Sequence, residues 1–125
     1  MIKYLPAPDI QDKVDELIKI LDMDHVSVPR VVCVRSKGSS SRRTIARCHA
    51  LGRIWQTALS IKAYYIIEVI SERFDKMSEE ERIKTLIHEL LHIPKSFGGG
   101  FRHHDFVNSG LVDKYYRRYR QSKPY

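Results

Sequence analysis

Cysteine is scarce in this chain, whose 125 residues contain only Cys33 and Cys48. They form no C-x-x-C pair, which excludes a zinc knuckle or a redox dithiol built on neighbouring thiols. Two reduced, mostly buried thiols are expected, although a hairpin turning at Ser40 and Ser41 would set them opposite each other on paired strands. Long apolar runs are missing as well. No stretch approaches the roughly 18 residues of a membrane span, and the N-terminal "MIKYLPAPDIQDK" lacks the apolar block of a secretory signal. A cytoplasmic protein is expected, with no membrane partner. Internal repeats and low-complexity segments are absent too, so residues 1–125 read as one domain, long enough to bury roughly two thirds of the surface of the unfolded chain. Folding alone then requires neither metal nor disulfide.

Acidic residues are the minority charge, 15 against 22 basic, for a net charge of +7. Such an excess favours approach to polyanions. It is concentrated in "RSKGSSSRR" (35–43) and "KYYRRYRQSK" (114–123). Arg35, Lys37, Arg42 and Arg43 on a loop, with Arg117, Arg118 and Arg120 among tyrosines on a helix, are the candidate nucleic-acid contacts. The competing account is a solvated basic face.

Apolar periodicity divides the chain into elements. Ile10, Val14, Leu17, Ile18 and Leu21 recur at helical spacing from Asp9 to Met23, with Pro8 and Asp9 as the stop and cap. "VSVPRVVCVRS" is β-branched and predicts a strand from about Arg30 to Ser36. "KGSSSRR" is a turn, and "TIARCHA" is expected to return as the second strand of a hairpin. "LGRIWQTAL" fits a short strand or a helical turn equally well. "AYYIIEVIS" predicts an inner strand covered on both faces. Ser78 and Glu81 form an S-x-x-E capping box, so a helix starts near Ser78 and stops at or before Ile93, ahead of Pro94. The last segment, "HDFVNSGLVDKYYRRYRQ", predicts a helix docked by Phe106, Val107, Leu111, Tyr115 and Tyr119.

The chemistry lies at the end of the capped helix, in "HELLH" (88–92). Ile83, Leu86, Ile87, Leu90 and Leu91 span an arc of roughly 140° at 100° per residue, and His88 and His92 lie together beyond it, about 40° apart. Two imidazoles one turn apart can bind one zinc ion from the same side, with Glu89 beside them as general base toward a metal-activated water. Chance produces H-E-x-x-H in roughly one chain of this length in a few hundred. Here the motif also falls on the proper face of a strongly predicted helix, followed by a glycine-rich turn and further histidines.

A catalytic zinc site needs a third protein ligand and one open position. The metzincin pattern requires a glycine and a histidine where this chain has Lys95 and Gly98, and a gluzincin requires a later glutamate, whereas Glu89 is the last. His103, His104, Asp105 and Asp113 remain. Gly98 to Gly100 can turn the chain back toward the metal face, which points to His104, with His103 as alternative ligand or oxyanion donor. Asp105 suits a helix cap or the orientation of a ligand imidazole. Arg102, His103 and Tyr115 stay open as oxyanion stabilisers. His25 and His49 read as ordinary surface or core histidines.

"LIHELLHIPKSFGGGFRHH" (86–104), with weaker likeness in "ARCHALGRIWQTAL" and "YYIIEVISERFDKMSEEERI", resembles the zincin-fold metallopeptidases of archaea and phages that lie near the SprT-like family. The resemblance implies an α+β zincin-like fold: a small mixed sheet packed on an N-terminal helix, the H-E-x-x-H helix and a C-terminal helix. It also implies one Zn2+ on His88, His92 and His104, Glu89 as base, and a peptide or unstructured protein laid along an edge strand. SprT-like relatives act on DNA-bound proteins, but this chain has no cysteine-rich zinc ribbon. The expectation is therefore a zinc metallopeptidase, with DNA-associated substrates as an extension. A basic nucleic-acid-binding protein with a structural or vestigial zinc site is the alternative.

Overall fold

The computed structural model describes residues 1–102 and 106–123. In chain order the elements are β1 (Lys3–Pro6), α1 (Pro8–Ile20), β2 (Val31–Lys37), β3 (Ala46–Ala50), α2 (Arg53–Leu59), β4 (Tyr65–Ile70), α3 (Ser71–Phe74), α4 (Glu79–Leu91) and α5 (Ser109–Ser122). The four strands form one mixed sheet in the order β1-β2-β4-β3. The fold is α+β.

The expected hairpin of β2 and β3 does not form. β4 inserts between them, parallel to β2 and antiparallel to β3. "YIIEVI" is the most continuously apolar strand and takes the centre, whereas "ARCHA" alternates and suits an edge. Residues 38–45 then bridge two strand spacings, roughly 10 Å. Cys33 and Cys48 consequently do not face each other but flank Ile67 on the core face. Both thiols are free, and burial pushes each up to about 12.

β4 is buried on both faces except at Ile66, and Ile70 at its end is fully buried. Tyr65, Ile67 and Val69 are fully buried in the core, while on the opposite face Ile66 is 40% exposed and Glu68 is buried beneath Arg47 and His49. Burial pushes the Glu68 carboxyl up, but the His49 imidazole at 2.8 Å and the Arg47 charge help to outweigh it and hold the group below its ordinary value.

α1 begins one residue earlier than Asp9, with Pro8 in the first turn and no side-chain cap; Asp9 instead pairs with Arg35. α4 carries the full capping box between Ser78 and Glu81. α5 starts at Ser109, where the Asn108 side chain accepts from Leu111 N–H. The cap is thus Asn108, and Phe106 and Val107 precede the helix.

β1 was not legible as a strand, and its shortness leaves a gap. It pairs with β2 only from Val34 to Lys37. At the uncovered start of β2 the Gln11 amide takes the place of a strand: its Nε2 donates to Val31 O at 2.9 Å and its Oε1 accepts from Cys33 N–H at 2.9 Å. Gln11→Ala orphans both backbone groups and is expected to cost about 1–3 kcal/mol. A urea titration should show a lower midpoint with an unchanged slope; an unchanged midpoint refutes this role for the amide.

Candidate metal centre

α4 lies beside edge strand β3, and the two walls enclose a cleft of about 560 Å³. Thr44, Ala46, Arg47 and Cys48 line one wall, His88, Glu89 and His92 the other, with Phe101 and Arg102 across one end. The apolar arc of α4 is buried as periodicity predicts, but so is Glu89, at 7% exposure. Periodicity places Glu89 outside that arc; its burial comes from the neighbouring edge strand.

The two imidazoles converge. His88 Nε2 and His92 Nε2 are 3.2 Å apart, with ring centroids separated by 4.9 Å and the planes inclined at 75°. His92 Nδ1 lies 2.8 Å from Arg102 O. A carbonyl oxygen only accepts, so the ring proton sits on Nδ1 and the Nε2 lone pair is directed into the cleft. Two nitrogens bound to one tetrahedral zinc ion sit about 3.3 Å apart. The donor pair therefore fits a single cation without rearrangement.

Glu89 stands next to this pair, and desolvation pushes its carboxyl up to about 7. Its proton affinity is thus poised near neutrality, and a nearby cation would draw the value down.

The glycine-rich loop returns the chain to the same place. Arg102 N–H donates to His92 O at 2.8 Å, so His92 and Arg102 are joined by two hydrogen bonds across the intervening turn. The loop is pinned underneath. The buried Tyr65 hydroxyl donates to Gly100 O and accepts from Gly99 N–H, and Gln56 Nε2 donates to Gly98 O.

His103, His104 and Asp105 lie outside the described residues. Among the described residues no group of three His, Cys, Asp or Glu side chains gathers around one point. Asp113 is engaged by Lys84 at 3.1 Å. Of the other oxyanion candidates, Arg102 lines both the cleft and a second cavity with Leu90 and Leu91, whereas Tyr115 lines only the second among these. His25 and His49 lie outside the cleft lining and contact Ile93 O and Glu68. Arg35 bridges Asp9 and Asp75, so its charge is offset by two surface carboxylates, while Lys37, Arg42, Arg43, Arg117, Arg118 and Arg120 are exposed. The cleft wall of Thr44, Ala46, Arg47, Cys48 and Phe101 was missed. The alternation of "ARCHA" marks a strand, but nothing local marks it as the edge next to α4.

An α+β chain with a histidine pair and a buried carboxylate in one cleft is suited to metal-dependent hydrolysis. Residues 2–122 match the model of the family described as "Putative phage metallopeptidase", and the chain belongs to that family. Membership implies a metal ion and a peptide or protein substrate. No curated protein and no solved structure matches the chain. Among the described residues no helix is long and apolar enough to cross a membrane.

The three glycines are not equivalent. Gly99 has φ +104°, and a Cβ there would lie 2.7 Å from Leu51 O, whereas at Gly98 it meets only ordinary contacts and at Gly100 nothing within 4 Å. Gly99→Ala is expected to cost at least about 1 kcal/mol of stability and to weaken metal binding about tenfold through His92. Chelator competition should separate it from Gly98→Ala and Gly100→Ala. Equal metal affinities for all three variants contradict the assignment.

Proposed function

We propose that residues 1–125 form a single zincin-like domain that acts as a zinc metalloendopeptidase. The observation that carries this reading is the convergence of His88 and His92 beside buried Glu89, in a cleft whose other wall is an edge strand. His88 and His92 supply two ligands through Nε2. His104 is the proposed third, with His103 as alternative, and the return of the chain to His92 at Arg102 supports a ligand from the residues that follow.

A zinc ion bound there supplies Lewis acidity toward a peptide carbonyl and lowers the pKa of water. The remaining work falls to the chain. The outer edge of β3 offers backbone groups to an extended peptide, fixing the scissile bond across the cleft. Glu89 takes the proton of the attacking water and passes it to the leaving amine. Arg102 borders the cleft with its guanidinium stacked over the Phe106 ring at 4.1 Å, and swinging off that ring would let it face the charge that develops on the carbonyl oxygen.

Glu89→Gln should retain bound zinc while peptide hydrolysis falls at least about 100-fold. His92→Ala should lose the metal. Bound zinc by mass spectrometry and hydrolysis of an unstructured protein check both; a Glu89→Gln variant with full zinc and full activity removes the proposed base.

The reading extends to DNA-associated substrates through Lys37, Arg42 and Arg43, which stay exposed on the segment leading to cleft residue Thr44. Binding to duplex DNA should be measurable at low salt and fall steeply as salt rises. No binding at low salt removes this extension.

A further inference from the structure

α2 sits with its polar side inward. At helical spacing Ile54, Trp55, Ala58 and Leu59 share an arc of roughly 140°, the face that an amphipathic helix normally buries. No residue of α2 is buried; Ile54 is 78% exposed, Trp55 59% and Leu59 54%. The residue turned inward is Gln56, whose amide donates to Leu51 O at 2.8 Å and Gly98 O at 3.1 Å. This helix is thus fastened by one polar side chain to the loop beneath the cleft, and its apolar face looks out.

Position and charge together narrow what covers that face. α2 follows edge strand β3 after only Leu51 and Gly52, so a chain lying along β3 runs on toward it. Between Asp24 and Glu68 the sequence contains no acidic residue. Arg53 and Lys62 flank the apolar face with no ion pair among the described residues, and Arg42 and Arg43 precede β3 at its other end. A second copy is disfavoured on both counts. A few apolar side chains on two helical turns offer on the order of a few hundred Å², short of the roughly 800 Å² per partner of a stable interface, and a two-fold pairing would set cation against cation.

We propose that the outward face of α2 is a docking site for the flanking part of an extended protein substrate, one with apolar side chains interspersed with carboxylates. The proposal rests on the peptidase reading and names its substrate class. Ile54, Trp55 and Leu59 receive the apolar side chains, and Arg53 and Lys62 meet the carboxylates.

Trp55 is the single tryptophan, so its emission reports occupancy directly. The test uses two synthetic peptides with the same central segment, one continued by leucine, phenylalanine and glutamate, the other by serine and lysine. Titrated into zinc-loaded Glu89→Gln, the first should shift Trp55 emission to the blue and the second should not. In the wild type the first should be preferred about tenfold in kcat/KM, through KM, and the double variant Ile54→Ser/Leu59→Ser should lose that preference. Cleavage of both peptides at equal kcat/KM with unmoved Trp55 emission overturns the docking site and leaves the peptidase reading intact. A Trp55 shift with no cleavage by the zinc-loaded wild type does the reverse. A shift that appears without peptide, together with a doubling of mass, or that requires anionic vesicles, assigns the face to a second copy or to a lipid surface and also overturns the proposal.

Discussion

The site depends on the double hydrogen bond between His92 and Arg102. One bond fixes the chain: Arg102 N–H caps the last turn of α4 at His92 O. The other fixes chemistry, because Arg102 O holds the proton of the His92 ring on Nδ1 and leaves Nε2 as a donor atom facing His88. Remove either and His92, the C-cap of α4, loses one of the contacts that orient it. The constraints behind this pair are equally local: Gly99 in a backbone conformation closed to other residues, Tyr65 bonded twice to the loop, and Gln56 holding Gly98. Tyr65 belongs to β4 and Gln56 to α2, so the loop is held by both the core of the sheet and its outer helix.

Edge strand β3 contributes in a second way. By lying across α4 it buries Glu89, a residue that helical periodicity leaves outside the packed stripe. Burial raises the proton affinity of the carboxyl, which suits the general-base role proposed for Glu89. The same strand leaves its far edge open. One structural fact, the position of "ARCHA" at the end of the sheet, thus shapes both the environment of the proposed base and the open edge where an extended peptide would add.

Helices with strong signals were legible from sequence. The capping box placed the start of α4, Pro94 its end, and the apolar arc the face that packs. The histidine pair followed from spacing alone. What failed was nonlocal or weakly patterned. Nothing within "TIARCHA" reveals that a strand later in the chain will separate it from β2. "KYLP" is four exposed residues without periodicity. "RIWQTAL" could be strand or helix because its apolar residues do not face the core, so the rule linking pattern to burial had no purchase. Arg35 looked like part of a basic loop, yet Asp9 and Asp75 hold it from two helical regions that only the fold brings together.

Cys48 offers the sharpest way to test the centre, since its thiol lines the same cleft as the two imidazoles and zinc readily accepts sulfur. X-ray absorption at the zinc edge of the loaded protein distinguishes the donor sets. The account predicts nitrogen and oxygen neighbours alone near about 2.0 Å, with the multiple-scattering pattern of three imidazoles and one light-atom position left for water. A sulfur neighbour near about 2.3 Å, or a shell closed by four protein side chains, would contradict it.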